Sequence, residues 1–200
     1  MKTKAIFFSI LLLTSGLLMA QRSGIKGGVN FANLYVDDVS DENMKLGLNL
    51  GLWHQAANGA FQAELNYSNK GAQITYNNFA GGSGKYRYNL NYLEMPLLFV
   101  GHVGALNLHV GPYIGVLVGA NIKDVDSDGT VNGVASLDRN DFNTFDYGLA
   151  GGVGIDFDAS QIGVRYNYGL REIGKSGSFA GEAANNAKNS VFQLYVALDF

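Results

Sequence analysis

The side chains best equipped for chemistry in this chain are its three histidines and one run of spaced aspartates. His54, His102 and His109 are the available imidazoles. A hydrolytic site would need a hydroxyl nucleophile within hydrogen-bond reach of one of them. Neither His54 nor His102 has an evident serine beside it in the sequence. Asp124, Asp126 and Asp128, followed by Gly129, have the spacing that opens a calcium loop, with Val131 and Asn132 also suitably placed. The twelfth position of such a loop needs a bidentate Glu, and here it is Ala135, with no flanking helices. A solvated acidic turn is therefore the favoured reading, and the three aspartates are a weak calcium candidate only. The chain has no cysteine, which excludes disulfides and thiolate metal sites. The residues predict neither an enzyme nor a cofactor.

The elements that must position these residues begin with an export signal. Lys2 and Lys4 precede an apolar stretch through Leu18, and Leu18-Met19-Ala20 ends it on a small residue. That order is a secretory signal peptide over 1–20, and the stretch is short for a membrane-spanning helix. Cleavage after Ala20 leaves 21–200 as a single domain with twelve basic and seventeen acidic residues. No basic cluster of the kind that binds nucleic acid is present. Twenty-seven glycines against two prolines, among abundant Tyr and Phe, suit tightly curved sheets.

Beyond the signal the dominant period is two, which sends alternate side chains to opposite faces of a strand. Phe61, Ala63, Leu65 and Tyr67 share one face; Gln62, Glu64, Asn66, Ser68 and Lys70 share the other. Ile162, Val164, Tyr166, Tyr168 and Leu170 stand opposite Gln161, Arg165, Asn167 and Arg171 in the same way. Eight such segments are expected, at 24–34, 45–55, 60–71, 86–100, 106–120, 145–157, 161–170 and 190–200. Tight turns (56–59, 101–105, 158–160) alternate with long connections (35–44, 72–85, 121–144, 171–189). Strands of about ten residues with short turns at one end and long loops at the other describe an all-β, eight-stranded antiparallel up-and-down transmembrane β-barrel. An even strand count puts both termini on the periplasmic, short-turn side.

A soluble sandwich or lipocalin-like barrel would show the same alternation with the faces reversed. Aromatic residues at strand ends (Tyr86, Tyr88, Phe157, Tyr166, Tyr168) favour a membrane interface. So does a glycine-rich inner face, assigned to Gly111, Gly115, Gly119, Gly148, Gly152 and Gly154, which leaves room for large polar groups opposite. These features predict residence in the cell outer membrane.

Two stretches resemble a known family. Gly24-Ile25-Lys26-Gly27-Gly28-Val29-Asn30-Phe31-Ala32-Asn33-Leu34 resembles the opening strand of the PorT-like outer-membrane β-barrel family of Bacteroidota, and Tyr92-Leu93-Glu94-Met95-Pro96-Leu97-Leu98 resembles its central strand. The resemblance implies an eight-stranded outer-membrane barrel and little about activity. One branch contributes to a protein-secretion and gliding apparatus, and no residue here singles out that branch. Phe200, ending an alternating strand, looks like the signal read by the barrel assembly machinery during insertion.

The central strand contains a conflict. Arg87, Asn89 and Asn91 are polar at odd positions, whereas Glu94 is charged at an even one. A β-bulge near Asn91–Leu93 would swap the faces and keep all of them from lipid, and Pro96 belongs near a bulge or strand end. With eight strands the interior is just wide enough to be filled by side chains. Lys26, Glu64, Glu94 and Arg165, with Arg171 as a further candidate, form the expected lumen charge network, paired because isolated buried charges are costly. The expected function is a non-enzymatic, monomeric barrel with a structural or accessory role in the envelope. Its expected partners are outer-membrane lipid and lipopolysaccharide. The alternative is a surface receptor or adhesin that binds through its four long loops.

Overall fold

The structure, a computed structural model, describes residues 22–35, 44–78, 82–126, 130–137, 139–175 and 187–200. The signal segment, Asp37, Asp38, Asp41, Glu42 and Asp128 lie outside the described residues. Among the described residues ten strands follow one another: β1 (Arg22–Tyr35), β2 (Lys45–Gln55), β3 (Phe61–Lys70), β4 (Gln73–Asn78), β5 (Gly82–Val103), β6 (Leu106–Asp126), β7 (Val131–Ser136), β8 (Phe145–Asp156), β9 (Ser160–Glu172) and β10 (Lys188–Asp199). All ladders are antiparallel. Eight of the strands close a ring in the order β1-β2-β3-β5-β6-β8-β9-β10, and β10 returns to β1 along Gly24–Asp199 through Tyr35–Lys188. Closure removes the sheet edges, which a bilayer could not satisfy.

Alternation decides the faces. On β2, Leu46, Leu48, Leu50 and Leu52 point out and are at least half exposed, while Lys45, Asn49, Trp53 and Gln55 point in and are buried. Leu65, Met95, Ile114, Leu149, Leu194 and Val196 continue the outer apolar belt around the ring. A water-soluble chain would not leave such a belt uncovered, whereas hydrocarbon is its natural surrounding. Phe61, Phe99 and Phe157 are exposed at the short-turn end, and Tyr67, Phe145, Tyr147 and Tyr166 toward the other. These are the two interfacial girdles.

Two of the three short turns are built around a glycine. Gly59 and Gly104 adopt φ of 69° and 63°, conformations that side chains with a Cβ rarely take. At that rim Arg22 Nε donates to Asp199 Oδ2 at 2.7 Å, and the Phe200 amide donates to the Ser23 carbonyl at 3.0 Å. The two ends of the barrel sheet are thereby tied together.

At the long-loop end the strands run further than the sequence pattern indicated. β5 and β6 have 22 and 21 residues and pair with each other out to Gly84–Asp126. The connections 72–85 and 121–144 are therefore not plain loops. β4 pairs back on β5, and β7 pairs back on β6. Paired backbone is the reason: an extended strand beyond the ring needs a neighbour for its amides.

Three readings of the central strands are corrected. β5 carries no extra residue at 91–93; the register shift between Asn91 and Tyr92 skips Val118, so the bulge is on β6. β5 keeps one parity, with Leu90, Tyr92, Glu94, Leu98 and Val100 inside, so Arg87, Asn89 and Asn91 fall on the outer face above the apolar belt. The bulge also moves Gly119 off the lumen, where its neighbour is the Asn91 side chain. Pro96 is neither at an end nor at a bulge. It sits mid-strand and buried, and the β3–β5 pairing passes from Ala63–Leu97 to Asn66–Glu94 without it.

Candidate functional site

Because the inner face is polar and the ring narrow, the lumen holds two charge clusters. In the first, Glu64 of β3 is central. Arg165 of β9 reaches it with two hydrogen bonds, 2.7 and 2.8 Å, and Lys26 of β1 approaches from the other side at 3.2 Å. Gln62 and Asn66 donate to the same carboxylate at 2.6 and 2.8 Å. Lys26 Nζ also stands 3.7 Å from the Tyr195 ring centroid. Two cations therefore share one carboxylate, and all three side chains are at most 1% exposed.

In the second cluster the signs are reversed. Lys70, at the end of β3, bridges Glu94 of β5 and Asp146 of β8, with 3.2 Å to the Asp146 oxygen. Tyr113 and Asn189 donate to that same oxygen at 3.2 and 2.9 Å. Of the four charges expected in one network, Lys26, Glu64 and Arg165 are together, and Glu94 belongs to this other group. Lys70 and Asp146 complete it. Parity placed Lys70 on the polar face of its strand, but pairing across the bore depends on the stagger of closure. Arg171 is in neither cluster; it donates to Asn143 at 3.2 Å.

Large polar side chains fit because glycine faces them. Tyr113, His109 and Asn107 of β6 are registered with Gly148, Gly152 and Gly154 of β8. A Cβ on those glycines would lie 2.7, 2.6 and 2.8 Å from the respective side chains. Above these layers Leu90, Tyr92, Leu117, Ala120, Phe142, Ile173 and Ala187 form an apolar plug. The inner face of the described strands therefore carries two charge clusters, a layer of glycine-facing polar side chains and an apolar group.

The histidines separate. His109 is buried in the lumen, bonded to Asn107 at 3.1 Å. His102 lies 3.4 Å from Asp156 at the short-turn rim. His54 does have a serine beside it: Ser23 Oγ is 2.8 Å from its Nδ1. Ser23 and His54 are cross-strand partners in the β1–β2 ladder, 31 residues apart, so no local sequence signal announces them. The contact is exposed and no carboxylate orients the ring among the described residues, so it lacks the third member that a hydrolytic triad uses. Asp124 and Asp126 belong to β6, where extended backbone separates alternate residues by about 7 Å. A calcium loop must instead curl its ligands round one centre.

The model of the outer membrane protein beta-barrel domain family matches residues 19–174. The chain belongs to that family. It is an outer-membrane β-barrel. Its fold is similar to Ail, the attachment invasion locus protein of Yersinia pestis, solved with the heparin analogue sucrose octasulfate: 14% identity, TM-score 0.50, 91% of this chain and 100% of that one. It is also similar to Neisserial surface protein A, at 10% identity and TM-score 0.51, over 91% of this chain and 98% of that one. At such identities the likeness is one of fold. No curated protein matches the sequence.

Proposed function

We propose that this barrel is a non-enzymatic, monomeric component of the outer membrane with a structural or accessory role in the envelope. The observation that carries the reading is the bore, occupied by two buried charge clusters and an apolar group. An interior so occupied, in a ring of eight strands, favours a filled bore over a water-filled path or a substrate cleft. The leader 1–20 is removed during export, the short turns face the periplasm, and the long-loop end faces outward. The two motifs at 24–34 and 92–98 support placement in the PorT-like family, without singling out its secretion and gliding branch. The exposed Phe200 side chain is the edge offered to the assembly machinery. The test is fractionation with planar-bilayer recording. A heat-modifiable outer-membrane band beginning at Gln21, with no stable conductance, is expected; a soluble monomer or an ohmic porin-sized pore overturns the reading.

A second reading, surface binding through the long-loop end, is favoured by the β6–β7 hairpin. Its strands pair from Asn121–Ser136 to Val125–Val131, and Val131 and Val134 are 49% and 62% exposed. Loss of cell or matrix adhesion on replacing both by Ser, with the barrel intact, would support it; unchanged adhesion would remove it.

A further inference from the structure

Among the described residues three lysines have buried side chains, and two of these meet a carboxylate. Lys26 and Lys70 are paired in the lumen clusters. Lys45 is 2% exposed, yet its ammonium donates to neutral oxygens, the Asn69 side-chain amide and the Lys70 carbonyl, the latter at 3.2 Å. Among the described residues it has no carboxylate partner.

The local backbone explains its position. The β2–β3 ladder stops at Asn49–Ser68, while β2 continues along β1 and β3 continues along β5. A fork opens at the long-loop end. The carbonyls that would be orphaned there are taken by side chains: Asn30 donates to the Asn69 carbonyl at 3.1 Å and Lys45 to that of Lys70. Outside the fork lies a cleft of about 670 Å³ whose wall carries Lys45, Arg87 and Lys123 together with asparagines 69, 89, 91 and 121. Among the described residues no acidic one lines it. Its lower lip is the lipid-facing apolar surface, with Leu46, Leu48 and Tyr67.

We propose that this cleft binds the phosphate of an outer-leaflet glycolipid. Three cations and a set of amide donors fit a phosphate, which accepts several charge-assisted hydrogen bonds at once. The apolar lip fits the acyl chains below it. The cleft stands where the apolar belt gives way to polar residues, the level at which headgroups lie. The choice of leaflet rests on the outward orientation proposed above; whole-cell thiol labelling of Val134→Cys and Asn58→Cys tests that orientation separately.

The experiment uses refolded protein in zwitterionic nanodiscs doped with bis-phosphorylated lipid A or with the same lipid after phosphatase treatment, and native mass spectrometry of retained lipid. The phosphorylated form should be retained roughly tenfold or more in excess, as one charge-assisted contact implies. The pair Arg87→Gln, Lys123→Gln should lose that preference and Arg22→Gln, at the opposite rim, should keep it. Heat-modifiability certifies folding of each variant; Lys45→Gln is the harsher case because Lys45 also fills the fork. Equal retention of both lipids, or a preference unaltered in the folded double variant, overturns the proposal. Full displacement by inorganic phosphate would make this a site for the free ion and overturn the lipid assignment. Retention gained only when Asp37, Asp38, Asp41 and Glu42 are neutralised would show the chain's own acidic segment as the occupant, with the same consequence.

Discussion

The two lumen clusters are built with opposite signs. Around Glu64 one carboxylate serves two cations; around Lys70 one cation serves two carboxylates. The first carries one excess positive charge and the second one excess negative charge, so the pair is neutral within the same bore. The difference teaches where each cluster is fragile. Its central member alone holds like charges side by side, and the flanking members can be lost with a partner still in place. Burial makes the distinction sharp, because deleting one member of a buried pair strands the other.

The largest effect should follow from removing a centre. Glu64→Ala leaves Lys26 and Arg165 facing each other and should destabilise the barrel by about 3–5 kcal/mol, measured by urea unfolding in micelles. Lys70→Ala should cost a similar amount by stranding Glu94 and Asp146. The double variant Glu64→Ala, Arg165→Met should recover part of the loss; no recovery would mean that the penalty is cavity rather than charge. Leu65→Arg, next in the strand but on the other face, should cost about 2–4 kcal/mol near the bilayer midplane. If Glu64→Ala and Leu65→Arg respond alike to acyl-chain length, the two faces are not distinct. Gly148→Ala comes next. Its Cβ would meet the Tyr168 carbonyl at 2.0 Å and the Tyr113 ring at 2.7 Å. A loss of about 1–3 kcal/mol is expected, whereas Gly101→Ala, with open space around it, should change little. Removing a flank is the mildest test. Lys26→Met keeps the Arg165–Glu64 bonds and should cost less than half of what Glu64→Ala does, read in the same titration; equality would erase the central-versus-flanking distinction.

Much of the fold was legible because a strand has a period of two and a membrane reads that period directly. The runs at Leu46–Leu52, 61–70 and 190–200 each expose one apolar row to lipid, and the turns between them carry their own glycine chemistry at Gly59 and Gly104. What escaped were departures from strict period. The Val118 bulge is an insertion relative to a partner strand, visible only when β5 and β6 are laid side by side. It carries Gly119 to the outer face. Arg87, Asn89 and Asn91 also face outward, but because β5 keeps its parity above the apolar belt, where polar side chains are no longer in hydrocarbon.

The sequence by itself determined the class of protein, the strands of the ring and the face to which Glu64, Leu65 and Arg165 belong, since these depend on residue type and on neighbours one or two positions away. Only the tertiary structure decided which charges meet. Arg165 reaches Glu64 across 101 residues and Lys70 reaches Asp146 across 76. Such distances are bridged by the stagger at which the ring closes, a property of all eight strands together. The fork at Lys45 has the same origin: two neighbouring strands follow different partners, and the gap between them belongs to neither sequence segment alone.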